Sequence, residues 1–506
     1  MMKKIICVVL SMIILVSSVG ITSFAKDKCD CGYAPVVFVV GQGEDLYLNE
    51  GTSEEKLVPD ITGNLIKLIP KFVLGYTLQA ISGNYKALGA LLQSMFHDIV
   101  DDIACDRDGN SRKNISLRHE EFDTSGRHAA LKYGEENSMP ILPCDYKFKY
   151  DWRLDPVYNA ELLHDYIEKV KECTGHDKVI IMAHSEGNNV LCSYLYKYGS
   201  ESFEKVMFLS PAYQGLSILG SLFSGEYHLG DKADDLVTFL DTNLPESPQN
   251  GLIRSSISLL NKTGILKIIL KDVQRLLDNV YEQNIYDTLI DTIGTMPGMW
   301  SFCPDEYYER AKHRAFDGKE GYDNLIKKID HYHYNVQKNV PSIISGLLSD
   351  GVVVYIVAGY GISSIPVSNT SPNQSDMVID TKYMSIGATC SPVAQTFESS
   401  YKQKVDDGHN HLSPDMMVDA STCAFPEITF FVRDKNHNDD PPAYCQFLWQ
   451  LAYQKEQLDV FSVDGYSQFM KYENGRFINV TSFENAEKQS SVKLFFESLL
   501  SLFKGK

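Results

Sequence analysis

One short segment limits what this chain can fold into. Val179-Ile180-Ile181-Met182 is an apolar run of the kind that forms a buried strand, and it gives way to Ala183-His184-Ser185-Glu186-Gly187. Helical apolar spacing resumes at once with Val190, Leu191, Tyr194 and Leu195. Strand, tight turn and helix in that order form a nucleophile elbow, which lifts one side chain, here Ser185, above the edge of a sheet. Gly187 has a steric reason, since backbone packs on backbone there and leaves no room for a side chain. Ala183 stands where such turns usually carry a first glycine and is small enough for the same space.

The rest of the chain supplies a sheet for this elbow. Pro35 to Val40 reads as a strand ending at Gly41-Gln42-Gly43, residues 159–173 as an amphipathic helix, and Val206 to Leu209 as a strand closed by Ser210-Pro211. Strand patterns return at Val352 to Val357, before Gly359-Tyr360-Gly361, and at Ile428 to Val432, which leads to His437 and a helix over 444–455. Alternation of this kind implies a parallel sheet wrapped by helices. Residues 213–350 break the rhythm with helical runs at Ile253 to Leu260, Ile265 to Leu277 and Tyr286 to Ile293. The predicted class is therefore α/β: a hydrolase core with a mostly parallel central sheet flanked by helices, interrupted by a helical cap. We divide it into a first core part (33–212), the cap (213–350), a second core part (351–455) and a C-terminal extension (456–506). Residues 61–104 also show apolar helical spacing and are candidate lid helices. The apolar run Val492 to Phe503 is expected to dock on the core.

Residues 1–25 have the layout of a secretory signal: Lys3 and Lys4, an apolar stretch from Ile5 to Val16, and Ser23-Phe24-Ala25 as a cleavage site. The expectation is an exported, secreted, soluble monomer. Loss of Lys3 and Lys4, with no acidic residue in that segment, takes the formal charge from −19 to −21. So acidic a chain lacks the basic surface that nucleic acid requires. Of the eleven cysteines, ten remain after Cys7 leaves, an even number compatible with extracellular disulfides. Cys29 and Cys31 are too close for an easy mutual bridge, so each pairs elsewhere or stays free, and the Cys-x-x-Cys spacing of zinc sites is absent.

A hydroxyl nucleophile is weak at neutral pH and needs an adjacent base that a third group orients. On a sheet of this kind the acid and then the histidine follow the nucleophile along the chain. His437, five residues past the last predicted strand, fits the base. His184 adjoins the nucleophile and would point elsewhere, and His331, His333, His409 and His411 have no strand feeding them, so all are read as solvated or structural. Asp407, before Gly408 in Val405-Asp406-Asp407-Gly408-His409-Asn410-His411-Leu412, is the candidate acid, with Asp406 and Asp415 as alternatives. Asp407, His409 and His411 are also metal-ligand types, but three loop residues with no second cluster do not define a site, and no metal or cofactor is assigned. The backbone N–H groups of Glu186 and of Gln42 or Gly43 are the candidate oxyanion donors. The Glu186 side chain is expected in solvent.

Lys149-Tyr150-Asp151-Trp152-Arg153-Leu154-Asp155-Pro156, followed downstream by the Ser185 elbow, resembles the lecithin:cholesterol acyltransferase-like branch of the α/β-hydrolases. That branch also includes lysosomal phospholipase A2 and many bacterial lipases. The likeness runs from about residue 33 to 455 and takes in Ser210-Pro211, Pro297-Gly298-Met299-Trp300 as a cap segment, and Gly351 to Gly361. It implies a lipase or phospholipase A working through an acyl-enzyme on Ser185, with lipid or other acyl esters as substrate and transient contact with a lipid surface. An acyltransferase would use the same machinery, and a non-catalytic lipid-binding protein or a peptidase on this scaffold are the rival readings. The family often carries Asp-Gly-Asp-Gly-Thr-Val at the acid, and here the second Asp position holds His409. The usual Trp-Gly-Gly after Ser-Pro is replaced by Ala212-Tyr213-Gln214-Gly215. Asp151 and Arg153 are read as a structural pair, and the two apolar helical regions as covers for an acyl groove, in which each buried CH₂ contributes about 0.8 kcal/mol.

Overall fold

The computed structural model describes residues 29, 31–42, 45–58, 82, 89–91, 93, 94, 97, 100–118, 122–124, 142–243, 248–280, 285–366, 368–473 and 476–481. The predicted signal, Gly43, most of 61–104 and the run 492–503 lie outside them. Among the described residues the main sheet has eight strands. They are β1 (Val36–Val39), β2 (Tyr146–Phe148), β3 (Val179–His184), β4 (Phe203–Leu209), β5 (Val353–Tyr360), β6 (Thr429–Arg433), β7 (Phe469–Glu473) and β8 (Arg476–Asn479). Their spatial order is β8-β7-β6-β5-β4-β3-β1-β2, parallel throughout except for the β7–β8 hairpin.

Parallel sheets need both faces covered, which is why their strands read as unbroken apolar runs. β5 is buried along all eight residues, and only His184 in β3 is not. On one face helix α1 (Pro156–Thr174) packs against α2 (Gly187–Tyr198). α1 begins with the Asp155 side chain accepting from the Val157 N–H and ends on Gly175 in the left-handed region, so both ends are capped. The other face is covered by α3 (Pro442–Tyr453), whose Phe447, Leu448 and Leu451 join Ile180, Met207 and Phe430 of the sheet. Lys205 of β4, buried, donates to the Leu451, Ala452 and Gln454 carbonyls at the end of α3. A cation at that helix terminus meets carbonyls with no intrahelical partner.

Two findings differ from the sequence reading. β6 is not the last strand, because residues assigned to a C-terminal extension form the β7–β8 hairpin at the sheet edge. The second is a long excursion between β5 and β6, built on two short antiparallel ladders, Ile362–Ser363 with Gln374–Ser375 and Thr389–Cys390 with Val418–Asp419. Between β4 and β5 the chain is helical from Ser217–Phe223 to Val340–Ser349, with Trp300 buried against Phe223, Tyr308 and Phe316. None of the ten cysteines from Cys29 to Cys445 forms a disulfide, an arrangement their even number had left open. Burial instead pushes several thiols up, Cys105 and Cys423 to about 12. No helix among the described residues is long and apolar enough to cross a membrane.

The packing of α2 on β1 yields the first test. A Cβ on Gly187 would lie 2.5 Å from the Val40 carbonyl oxygen and 2.7 Å from that of Val39. Gly187→Ala is expected to destabilise the fold by about 1–3 kcal/mol in denaturant unfolding. Gly346→Ala, in a helix where nothing lies within 4 Å, is expected to be neutral or stabilising by up to about 1 kcal/mol. Equal effects at the two positions would contradict this account of the elbow.

Candidate active site

Ser185 sits at the end of β3 with φ of 54°, in the left-handed region that a residue with a side chain rarely adopts. The turn is held from outside. The Ser185 N–H donates to the Leu209 carbonyl at 3.1 Å, and its own carbonyl accepts from the Ala212 N–H at 3.2 Å and the Asn188 Nδ2 at 2.9 Å. Gly187 brings the start of α2 against the end of β1. Gly41 does the same for the loop after β1, where a Cβ would meet the Ser185 Cβ at 2.8 Å.

His437, four residues past β6, places Nε2 2.9 Å from the Ser185 Oγ. Its Nδ1 lies 2.7 Å from Oδ2 of Asp376, and its backbone N–H donates to the Asp376 carbonyl at 3.0 Å. The other carboxylate oxygen of Asp376 accepts from the Ile379 N–H at 2.8 Å and the Val378 N–H at 3.1 Å. Burial opposes ionisation of Asp376, but the attraction of His437 and these hydrogen bonds prevail and hold its carboxyl below the usual range. His184 takes an unexpected part: its Nε2 lies 3.1 Å from the His437 carbonyl. Burial, then the neighbouring His437 and Lys435, push His184 down to about 3, so it stays neutral and donates that bond.

The acid chosen from sequence is therefore corrected. Asp407 accepts from the His409 N–H and pairs with His411 at 3.0 Å. Asp406 accepts from the Gly408 N–H, and Asp415 accepts from the Tyr360 hydroxyl and lies 3.2 Å from Arg433 Nη1. Asp376 had a usable signal, being the first acidic residue after the strand that ends at Tyr360. Gly359 makes room for it, since a Cβ there would fall 2.6 Å from the Asp376 Cβ.

Of the candidate oxyanion donors, Glu186 opens α2, where first-turn N–H groups have no intrahelical acceptor. Gln42 follows Gly41 beside the serine, and its side-chain amide lies 3.1 Å from the Met299 sulfur in the turn Pro297–Trp300. The Glu186 side chain is not in solvent. It is fully buried, and neither carboxylate oxygen has a hydrogen-bond partner. The same turn covers it, for a Cβ on Gly298 would lie 3.1 Å from its Oε1. Burial, and then the charge of Asp151, push this carboxyl well above the usual range. Asp151 and Arg153 form the expected structural pair: buried Arg153 holds both Asp151 oxygens, the Ile103 carbonyl and the Ser111 hydroxyl.

Residues 146–226 match the model of the lecithin:cholesterol acyltransferase family. That segment is lecithin:cholesterol acyltransferase-like. It contains the Tyr-Asp-Trp-Arg signature, the Ser185 elbow and Ser210-Pro211, and stops before Asp376 and His437. No curated protein matches the chain. A solved structure described as "The crystal structure of Tle4-Tli4 complex" aligns at 12% identity over 83% of this chain and 97% of its own, with a TM-score of 0.29, too loose a likeness to bear on the site.

A buried acid with a raised pKa makes stability depend on pH. The unfolded state releases the Glu186 proton near its ordinary 4.5, whereas the folded state keeps it, so stability falls as pH rises from 4.5 toward the folded value. Glu186→Gln has no proton to lose. Its stability relative to the native chain is expected to increase from pH 4 to pH 8 in denaturant titrations, and a difference that does not change with pH would contradict the assignment.

Proposed function

We propose that the chain is an exported serine esterase that cleaves acyl esters of lipids. The reading is carried by one observation, the unbroken hydrogen-bonded series Ser185 to His437 to Asp376 on an elbow in a segment similar to lipid acyltransferases. In this reading the Ser185 Oγ attacks the ester carbonyl carbon as its proton passes to His437 Nε2. Asp376 keeps Nδ1 protonated and stabilises the imidazolium. The oxyanion accepts from the backbone N–H groups of Glu186 and of the Gln42–Gly43 loop. Collapse expels the alcohol, which takes the proton from His437 and leaves Ser185 acylated. Water, activated by the same histidine, then releases the fatty acid. A lipid alcohol in place of water would make the chain an acyltransferase, and both outcomes use one site.

Two features support a lipid substrate. Ser185 is 6% and His437 4% exposed, so the reacting groups lie in an enclosed setting rather than in bulk water. The cap also presents an apolar face. In helix Ile265–Val280, Ile265, Ile268, Ile269 and Val273 are exposed at a spacing that aligns them. This helix packs on Ala233–Asn243, which in turn packs on Ile362–Ser363 beside the end of β5, so the face belongs to elements standing at the catalytic edge. A face of this kind gains free energy when it enters a lipid surface.

The experiments are direct. A fluorophosphonate probe is expected to label the native chain and not Ser185→Ala, and no labelling of the native chain would favour a non-catalytic binder. Asp376→Asn is expected to lower kcat by roughly 10³–10⁴-fold on a soluble ester, with Asp407→Asn near native. The reverse ranking would overturn the acid assignment. Replacing Ile268 and Ile269 with Asp is expected to reduce turnover on phospholipid vesicles at least tenfold while sparing a short soluble ester. Equal losses on both substrates would remove the interfacial role.

A further inference from the structure

At the other end of the strand that delivers His437, the start of β6 and β7 carries a second cluster of reactive side chains. His411 is completely buried there, and its Nδ1 lies 2.9 Å from Oε1 of Gln468. The orientation of that amide is set independently, because Gln468 Nε2 donates to the Pro426 carbonyl at 2.8 Å and the Thr429 carbonyl at 3.3 Å. Its oxygen therefore faces His411, and Nδ1 must be the protonated nitrogen. In neutral His411 the remaining nitrogen, Nε2, presents a bare lone pair. It points at Oδ2 of Asp407, 3.0 Å away, and has no hydrogen-bond partner.

Two acceptors that face one another at this distance need a cation between them. A proton would serve two atoms, but here there is a third. Donor atoms of Asp407, His409 and His411 all lie within 4.8 Å of one another. Bonds of about 2.0–2.1 Å in a tetrahedral site put neighbouring ligand atoms roughly 3.3 Å apart, close to the Asp407–His411 separation. Two imidazoles and a carboxylate, with one imidazole oriented through its second nitrogen, are a donor set for a zinc-class divalent cation. Asp407 and His409 are partly open to solvent, which leaves a route of entry and a fourth position for water.

We propose that Asp407, His409 and His411 bind one zinc-class cation. It fastens the loop at 403–411, part of the excursion that also carries Asp376, to the start of β6 and β7. The site is independent of the esterase reading and would be structural, because it lies at the opposite strand ends from Ser185.

The test uses the full chain, dialysed against a chelator, with Cys29→Ser and Cys31→Ser. These two substitutions remove the other described group with ligand chemistry, Cys29, Cys31 and His176. Titration with Co²⁺ is expected to give the visible absorption of a tetrahedral site, saturating at one equivalent, and Zn²⁺ is expected to displace it and raise the thermal midpoint. His409→Ala, which removes a half-exposed ring, is expected to fold as before and lose both responses, and Asp407→Asn to lose them as well. No cobalt absorption and no midpoint shift in the parent would overturn the proposal, as would responses unchanged in His409→Ala. A midpoint that moves with pH through the histidine range but not with metal would also overturn it, since His411 and Asp407 would then share only a proton.

Discussion

The site depends on one strained turn. Ser185 occupies the left-handed region at the end of β3, a conformation that costs of order 1–3 kcal/mol and persists only where surrounding contacts leave no alternative. Those contacts come from three directions: β4 through Leu209, the chain after β4 through Ala212, and the start of α2 through Asn188. The close approach of Gly187 to Val39 and Val40 ties the same turn to β1. The hydroxyl is thus placed by the whole central sheet rather than by its own loop.

The other two members of the series are placed by backbone as well as side chain. Asp376 leaves the sheet with the excursion after β5, yet its carbonyl accepts the His437 N–H and its carboxylate the N–H groups of Val378 and Ile379. Four residues on, buried Asp380 receives the backbone and hydroxyl of Ser217, which joins the acid loop to the first cap helix. The acid loop and the first cap helix are therefore joined by direct hydrogen bonds. The Glu186 carboxyl, buried under Pro297–Trp300 with no hydrogen bond, marks the place where that cover rests on the elbow. Such a group costs free energy wherever it is sealed from water.

What was legible in the residues follows from the physics of each element. β1, β3, β5 and β6 are buried on both faces, so their apolar runs announced them, and the elbow announced Ser185. The β7–β8 hairpin was missed because it lies at an edge: Phe469 and Met470 are buried, but Tyr472 and Glu473 are exposed, and the pattern reads as mixed. Asp376 was missed because it sits in a polar loop with no local periodicity, and the tight turn at Asp407-Gly408, nearer His437 in the chain, drew attention instead. Distance from the preceding strand was the better guide. Glu186 could not be read correctly from its neighbours, since its burial comes from a turn more than a hundred residues away.

The central claim is that Ser185 carries the acyl group between two half-reactions. The most direct measurement is rapid acid quench of the native chain with an activated ester in excess, followed by peptide mass spectrometry. The account predicts a burst of alcohol approaching one equivalent and a matching acyl mass on the peptide containing Ser185. Steady ester turnover with no acyl group on that peptide at any quench time would contradict it.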